Sequence, residues 1–334
     1  MRAGRITVST RKFRLEDVPV PTPGIGQVRI EVKAAGVCLS DVHFLHGIIS
    51  PRYLQGDEVT LGHEVSGIIE SLGDGVIGWN VGARVIICAG VRDSKNRVTT
   101  LGFDYDGGFA EFIVANVDSL VRIPNNLPFE QACIIPDAVS TPWAAITQTA
   151  AVQKGQSAAV FGVGGLGVHA VQLLKIIGAT PVIAVDPLPA ARSRAMALGA
   201  DYAFDPFGDT FVEEIKNTIV GRGLNVAFDF VGSGSVRTQA LRLLSEGGKL
   251  IIIGLANEPI VIPNDIAFAY RRTQILGHYG SEPLHTKELV DLVAEGVLDL
   301  SASVSEIVPL ENIVDALHRL ENKIDNPIRI VITP

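Results

Sequence analysis

The sequence predicts an α/β protein in which a β-rich domain is joined to a doubly wound, parallel, six-stranded sheet. Three observations carry this. Short apolar runs between Gly, Pro and Asp clusters fill the first third of the chain, the texture of a barrel or twisted sheet. From Ser157 onward strand-like and helix-like segments alternate, as parallel strands joined by helical crossovers require. The first of those strands runs into Gly162-Val-Gly164-Gly165-Leu166-Gly167, which opens a helix.

In chain order, the β-rich part contains apolar runs at 28–32, 65–69, 85–88 and 109–114, while residues 1–17 read as polar and charged with no apolar run. Long Ala-rich amphipathic stretches at 136–150 mark the change of texture. Strands are expected at 158–161, 182–185, 202–204, 226–230, 250–253 and 274–276, with helices at 166–177, 190–198, 211–220 and 236–244. Beyond 284 the pattern gives one helical stretch, a second helix at 310–320 and a final strand at 328–332 that rejoins the first domain. The expected division is 1–138 with 282–334, and 139–281.

Composition narrows the functional classes. The 334 residues are 47% hydrophobic and 19% charged, enough for two sizeable cores. A net charge of −8 without any run of Lys or Arg argues against nucleic acid or an anionic membrane as partner. Cys38, Cys88 and Cys133 are far apart and form no C-x-x-C pair, which excludes a disulfide framework or a four-thiolate zinc site and points to a reducing cytoplasm. No uninterrupted apolar stretch reaches the ~18 residues of a membrane span, and no apolar leader follows Met1.

Two constellations carry chemistry. In the glycine-rich turn, Gly162 suits the tight bend, Gly164 a close approach of backbone to a diphosphate, and Gly167 close helix packing, with the helix N-terminus facing the anion. Asp186 ends the next strand 19 residues after Gly167, where a carboxylate accepts bonds from adenosine ribose hydroxyls and repels a 2′-phosphate. NAD is therefore expected over NADP, although Arg192 and Arg194 lie nearby in sequence. The second constellation is Cys38 with Gly62-His63-Glu64, His63 lying 25 residues after Cys38. A thiolate and an imidazole are the ligand types Zn²⁺ selects. Asp41 is a suitable acceptor for the second ring nitrogen of His63.

The run Gly36-Val-Cys38-Leu-Ser40-Asp41-Val-His43, then Gly62-His63-Glu64-Val-Ser-Gly67, the glycine turn, Asp186 and the C-terminal Asn326-Pro-Ile-Arg329-Ile resembles the zinc-dependent alcohol dehydrogenases of the medium-chain dehydrogenase/reductase superfamily over nearly the whole chain. The resemblance implies a GroES-like catalytic domain and a Rossmann NAD-binding domain. It implies one catalytic zinc on Cys38, His63 and Asp137, the last standing where many relatives have cysteine, with Glu64 as an intermittent neighbour of the ion. Ser40 and His43 would pass the alcohol proton toward solvent. Thr141 would pack on the nicotinamide, Gly162, Gly164, Gly165, Leu166, Gly167 and Asp186 would bind the cofactor, and Arg329 would face its diphosphate.

The reaction implied is reversible hydride transfer between an alcohol and NAD⁺, in a homodimer or homotetramer. The family's second, structural zinc has no cysteine ligands here. The stretch 89–106 carries Arg92, Asp93, Lys95, Asn96 and Arg97 instead, a shortened, remodelled loop. Ile49, Ala89, Trp143, Leu255 and His278 stand at motif-relative positions of a mainly apolar substrate pocket, which suits a medium-sized or aromatic, secondary or primary alcohol. Two competing readings are a zinc-free enone or quinone reductase of the same superfamily, which the Cys38, His63 and Asp137 set disfavours, and a non-enzymatic NAD-binding protein, which Ser40, His43 and Glu64 disfavour.

Overall fold

The structure is a computed structural model that describes residues 1–93, 95–208, 210–220, 222–255, 258–262 and 264–334. Ser94, inside the loop expected at 89–106, lies outside the described residues. The chain forms two compact units, Met1–Ser140 with Gly280–Pro334, and Thr141–Tyr279.

The first unit begins with strands β1 (Arg2–Thr7) and β2 (Lys12–Asp17), which pair antiparallel. Neither strand is expected from the sequence, because Arg2, Arg5, Lys12, Arg14 and Glu16 mask the alternation. The charges lie on the outer face, Arg14 reaching Glu16 at 2.8 Å, while Ala3 and Ile6 are fully buried. β3 (Gln27–Val37), helix α1 (Leu39–Leu45), β4 (Glu58–Thr60), β5 (Glu64–Leu72) and β6 (Arg84–Ile87) follow. Next come the short pair β7 (Gly90–Arg92) and β8 (Val98–Thr100), then β9 (Phe112–Asn116), β10 (Leu120–Arg122) and α2 (Phe129–Ala132).

The Ala-rich stretch at 136–150 winds unevenly: a π-helical turn at Ile135–Val139, α3 (Ser140–Ala144), then a second π-helical turn at Ala145–Thr149. Such wide turns re-aim side chains and recur at functional sites.

The second unit holds β11 (Ala158–Phe161), α4 (Gly167–Ile177), β12 (Val182–Val185), α5 (Pro189–Ala197), β13 (Tyr202–Phe204), α6 (Phe211–Thr218) and β14 (Leu224–Asp229). It continues with α7 (Gly234–Leu243), β15 (Leu244–Ile252), α8 (Asp265–Tyr270) and β16 (Gln274–Gly277). Its sheet runs β13-β12-β11-β14-β15-β16, every neighbouring pair parallel. This is the doubly wound order, whose direction reverses at β11 and leaves a crevice at the strand ends. Strands β11 and β12 are buried at every position, as sheets covered on both faces require.

The chain returns to the first unit through α9 (Pro283–Ala294), β17 (Val304–Pro309), α10 (Ile313–Glu321) and β18 (Arg329–Thr333). β17 is a further strand absent from the sequence reading; it alternates exposed and half-buried positions at the sheet edge. The main sheet of this unit has the order β10-β6-β5-β3-β18-β17, with β9 also paired to β3. Ile30, Val32, Val65, Ile69, Ile87, Phe109 and Ile330 are among the core residues packed around it. Among the described residues no helix is long and apolar enough to cross a membrane.

Candidate metal centre and dinucleotide turn

The end of β3 delivers Cys38 to the N-terminus of α1, and the start of β5 delivers His63 and Glu64 beside it. Cys38 is the N-cap of α1, its N–H donating to Asp41 Oδ2 at 3.0 Å. Gly36 pairs across the ladder with Glu64, and a Cβ on Gly36 would lie 1.9 Å from Glu64 Oε2. Only glycine leaves room for that carboxylate. The sequence reading quoted Gly36 in its motif without seeing this role.

Asp137 arrives from the π-helical turn. Its Oδ2 is 3.5 Å from Cys38 Sγ and 3.4 Å from His63 Nε2. One donor atom each from Cys38, His63, Glu64 and Asp137 lies within 4.8 Å of all the others. On the far side of the ring, His63 Nδ1 is 3.4 Å from Asp41 Oδ1, near enough for attraction though not aligned as a hydrogen bond. Asp41 therefore both caps α1 and faces the imidazole.

Cys133, close to Asp137 in sequence, stays outside this group, its thiol directed at the Glu130 carbonyl at 3.3 Å. Burial pushes that thiol well up from its usual range.

Cys38, Asp41, Glu64 and Asp137 face one imidazole and one guanidinium in a volume almost closed to water. Buried carboxylates are costly unless they are neutralised or balanced by cations. The protein's own groups register the strain. Burial pushes the Glu64 carboxyl up to about 8, although the Arg329 guanidinium opposes it. Burial disfavours the charged form of His63, yet Asp41, Asp137 and Cys38 more than offset this and hold the imidazole well above its usual range. Glu64 Oε2 is buried without a hydrogen-bond partner. A sulfur, a nitrogen and carboxylate oxygens whose donor atoms lie within 4.8 Å of one another fit a zinc ion.

Arg329 is placed differently from the sequence expectation of a residue facing a diphosphate. It is 2% exposed, its Nη2 donating to Glu64 Oε1 at 2.7 Å and lying 3.9 Å from Asp137 Oδ2. Its guanidinium thus serves Glu64 in this structure. The physical reason is burial: β18 is a central strand, and a guanidinium there must meet the nearest buried carboxylate. Ser40 is half-buried on α1. His43, on the last turn, has Nδ1 buried with no hydrogen-bond partner, and burial together with the charge of His46 lowers its pKa.

The stretch 89–106 is a hairpin, β7 paired with β8. Asp93 and Arg97 bridge at 2.7 Å across its turn, and the Arg97 guanidinium stacks over Tyr53, 4.5 Å from the ring centre. In the first unit Ile49 packs against the core, and Cys88, beside Ala89, is a buried thiol pushed up to about 11.

In the second unit Gly162 takes φ +84°. A Cβ on Gly167 would sit 1.8 Å from the Gly162 carbonyl oxygen, whereas one on Gly164 would meet no atom within 4 Å. Gly167 is thus fixed by packing and Gly164 by nothing in the protein, the pattern expected where a ligand approaches backbone. Gly165 accepts a bond from His169 Nδ1 at its carbonyl, and Leu166 caps α4. Asp186 Oδ2 accepts from Val163 N–H at 2.8 Å and Oδ1 from Leu188 N–H at 2.9 Å, so the carboxylate ties the glycine turn to β12.

Arg192 is spent on the Asp186 and Pro187 carbonyls and on Asp205, and Arg194 reaches the Val163 carbonyl. Thr141 is buried, its carbonyl accepting from His278 Nε2 at 3.0 Å, while Thr149 Oγ1 is 2.8 Å from His278 Nδ1. Sequence reasoning missed the buried pair Asp229–Arg237 at 2.9 Å, where Asp229 also accepts from Val231 and Gly232 N–H. An acid ending a core strand eight residues before a helical arginine was its only trace.

Comparisons agree with this geometry. Residues 24–125 match the alcohol dehydrogenase GroES-like domain family and residues 165–295 the zinc-binding dehydrogenase family. An alcohol dehydrogenase of Geobacillus stearothermophilus is 31% identical over 335 residues, 96% of each chain. A sorbitol dehydrogenase of Bacillus subtilis is 29% identical over 340 residues, 98% of this chain and 95% of its own. The crystal structure of the alcohol dehydrogenase from Aeropyrum pernix matches over all of both chains with TM-score 0.88 and 31% identity. A GroES-like unit and a Rossmann unit define a two-unit oxidoreductase acting on small molecules. The chain belongs to the zinc-type alcohol dehydrogenases of the medium-chain dehydrogenase/reductase superfamily.

Proposed function

We propose that this protein is an NAD-dependent zinc alcohol dehydrogenase that moves hydride reversibly between a medium-sized or aromatic alcohol and NAD⁺, giving a ketone or aldehyde. The observation that carries the reading is the convergence of Cys38, His63, Glu64 and Asp137 donor atoms within 4.8 Å of one another. Cys38, His63 and Asp137 would hold one zinc ion, with Glu64 beside it. When bound, such an ion supplies Lewis acidity toward an alcohol or carbonyl oxygen.

The remaining work falls to the chain. Asp41 attracts the ring of His63, and Arg329 opposes the neutralisation of Glu64 and orients its carboxyl. Ser40 and His43 on α1 carry the alcohol proton toward solvent; an imidazole whose pKa is lowered stays a proton acceptor to lower pH. In the second unit Gly162, Gly164, Gly165, Leu166 and Gly167 cradle the diphosphate at the N-terminus of α4. Asp186 accepts the adenosine ribose hydroxyls, which favours NAD over NADP. Thr141, held by His278, supports the nicotinamide. A cytoplasmic homodimer or homotetramer is the assembly proposed.

The test is elemental analysis of purified protein, followed by a screen of secondary, primary and polyol substrates with NAD⁺ and NADP⁺. About one zinc per chain and alcohol oxidation with NAD⁺ are expected. A zinc-free chain that reduces enones or quinones would overturn the reading.

A further inference from the structure

Residues 101–109 clasp the three residues that precede His63. Gly107 N–H donates to the Thr60 carbonyl, Gly108 N–H to Gly62 and Phe109 N–H to Leu61, at 2.8 to 2.9 Å. Asp106 Oδ1 accepts from Thr60 N–H at 2.8 Å. A Cβ on Gly107 would lie 2.3 Å from the Gly62 carbonyl oxygen, and one on Gly102, at φ +75°, 3.0 Å from Gly62 N. The backbones are in contact without intervening side chains.

The clasp is itself anchored, since Asp104 accepts from Thr100, Arg52 and Tyr53 N–H at 2.8 to 2.9 Å. From its centre Phe103, 4% exposed, projects into the site. Its ring stacks on Phe44 with centroids 5.0 Å apart and lies tilted against His63 at 5.2 Å. Phe44 is on α1, the helix that carries Ser40, Asp41 and His43, and its ring is also approached by the Arg11 guanidinium at 5.5 Å.

We propose that Phe103 is a positioning residue for His63, and that the short segment following the β7–β8 hairpin supports the metal centre by packing. The inference rests on the reading that His63 is a zinc ligand. An imidazole has one soft torsion about its bond to Cβ, and Asp41 attracts Nδ1 without an aligned hydrogen bond, so Asp41 alone leaves that torsion loosely held. A ring packed against the imidazole restricts it and links His63 to α1 through Phe44. Loss of groups that orient a ligand typically weakens metal binding by about 10–100-fold.

The experiment compares the parent protein with Phe103→Leu, which keeps an apolar filling of similar bulk but no ring. With both folded by circular dichroism, zinc transfer to a chromophoric chelator should be about tenfold faster from the variant. The visible bands of the cobalt-substituted protein, which report ligand geometry, should also change. Equal release rates and identical bands would overturn the proposal.

Should Phe103→Leu fail to fold, Phe44→Leu removes the support under Phe103 without touching His63. The same two outcomes then decide. A parent that takes up no zinc would sink the reading of the site, and the positioning role would then be judged on the metal-free chain by NMR. There the His63 ring protons, beside the Phe103 ring, should change chemical shift in Phe103→Leu; unchanged shifts would reject it.

Discussion

The first unit makes its site from side-chain charge, and the second makes its site from backbone shape. Around Cys38, His63, Glu64 and Asp137, ionisable groups crowd together with almost no access to water, each tolerable only because of the others. Around Gly162, Gly164 and Gly167 there is one carboxylate, Asp186, already satisfied by two backbone N–H groups, and the rest is a turn in which Gly162 takes φ +84° and Gly167 has no room for a Cβ. A charge cluster holds stability and function in the same contacts, so substitutions there should disturb both. A backbone cradle separates them glycine by glycine.

The largest effect should come from His63→Ala. Loss of a zinc ligand removes several kcal/mol of stabilisation at the reacting oxygen, so kcat/KM for alcohol should fall by on the order of 10³ or more while zinc content drops. Full zinc occupancy in the variant would place the ion elsewhere. Next is Arg329→Met, which leaves Glu64 buried without its partner. Breaking one side of a buried ion pair costs about 3–5 kcal/mol, whereas replacing both sides by apolar groups is often near neutral. In denaturant melts of metal-free protein, Arg329→Met should be strongly destabilised and Arg329→Met with Glu64→Leu largely restored. A double variant as unstable as the single would show that the loss is one of packing.

In the second unit two glycines should behave oppositely. Gly167→Ala forces a methyl group within 1.8 Å of the Gly162 carbonyl oxygen and should cost about 1–3 kcal/mol of stability. Gly164→Ala places its methyl where no atom lies within 4 Å. Its melting temperature should match the parent, while NAD⁺ binding weakens by about tenfold, or 1.4 kcal/mol. Calorimetry on both proteins checks this. Unaltered cofactor affinity in Gly164→Ala would mean the open space is not where the diphosphate lies.

The contrast also explains what could be read in the sequence. The dinucleotide turn was visible in the residues themselves, because strand, turn, helix and acid are contiguous and each obeys a local rule. Strands β11 and β12 of the second unit were legible because buried parallel strands are unbroken apolar runs, and the other four because they alternate regularly with helical segments. In the first unit Cys38, His63 and Asp137 are distant in sequence; ligand chemistry pairs the first two, and only the family resemblance adds Asp137. Local rules said nothing of Gly36, whose importance lies in a carboxylate across the ladder, or of Phe103, an aromatic in an irregular loop. Arg329 was assigned by family position to the cofactor, yet its burial beside Glu64 depends on β18 running through the middle of a sheet. Strands β1 and β2 escaped because charged residues on an outer face dilute a period-two pattern.

The smallest effect, and the one that separates the proton path from the metal centre, concerns His43. Burial and the charge of His46 lower its pKa from the ordinary 6.5, so the folded chain holds fewer protons there than the unfolded chain. Its contribution to stability is therefore complete above about pH 6.5 and is lost as pH falls through the lowered value. His43→Gln should flatten the fall of stability below about pH 6.5. Its effect on alcohol oxidation runs the other way: neutral imidazole accepts the proton in the parent down to its lowered pKa, and the variant lacks that acceptor. Turnover of His43→Gln should drop about tenfold near pH 6, below the 10²–10⁴ typical of a general base, because water can carry the same proton. At pH 9, where hydroxide takes over, the two proteins should converge. A deficit of equal size at both pH values would show that His43 shapes α1 and takes no part in moving the proton, and zinc content, unchanged in either case, keeps this result independent of the metal centre.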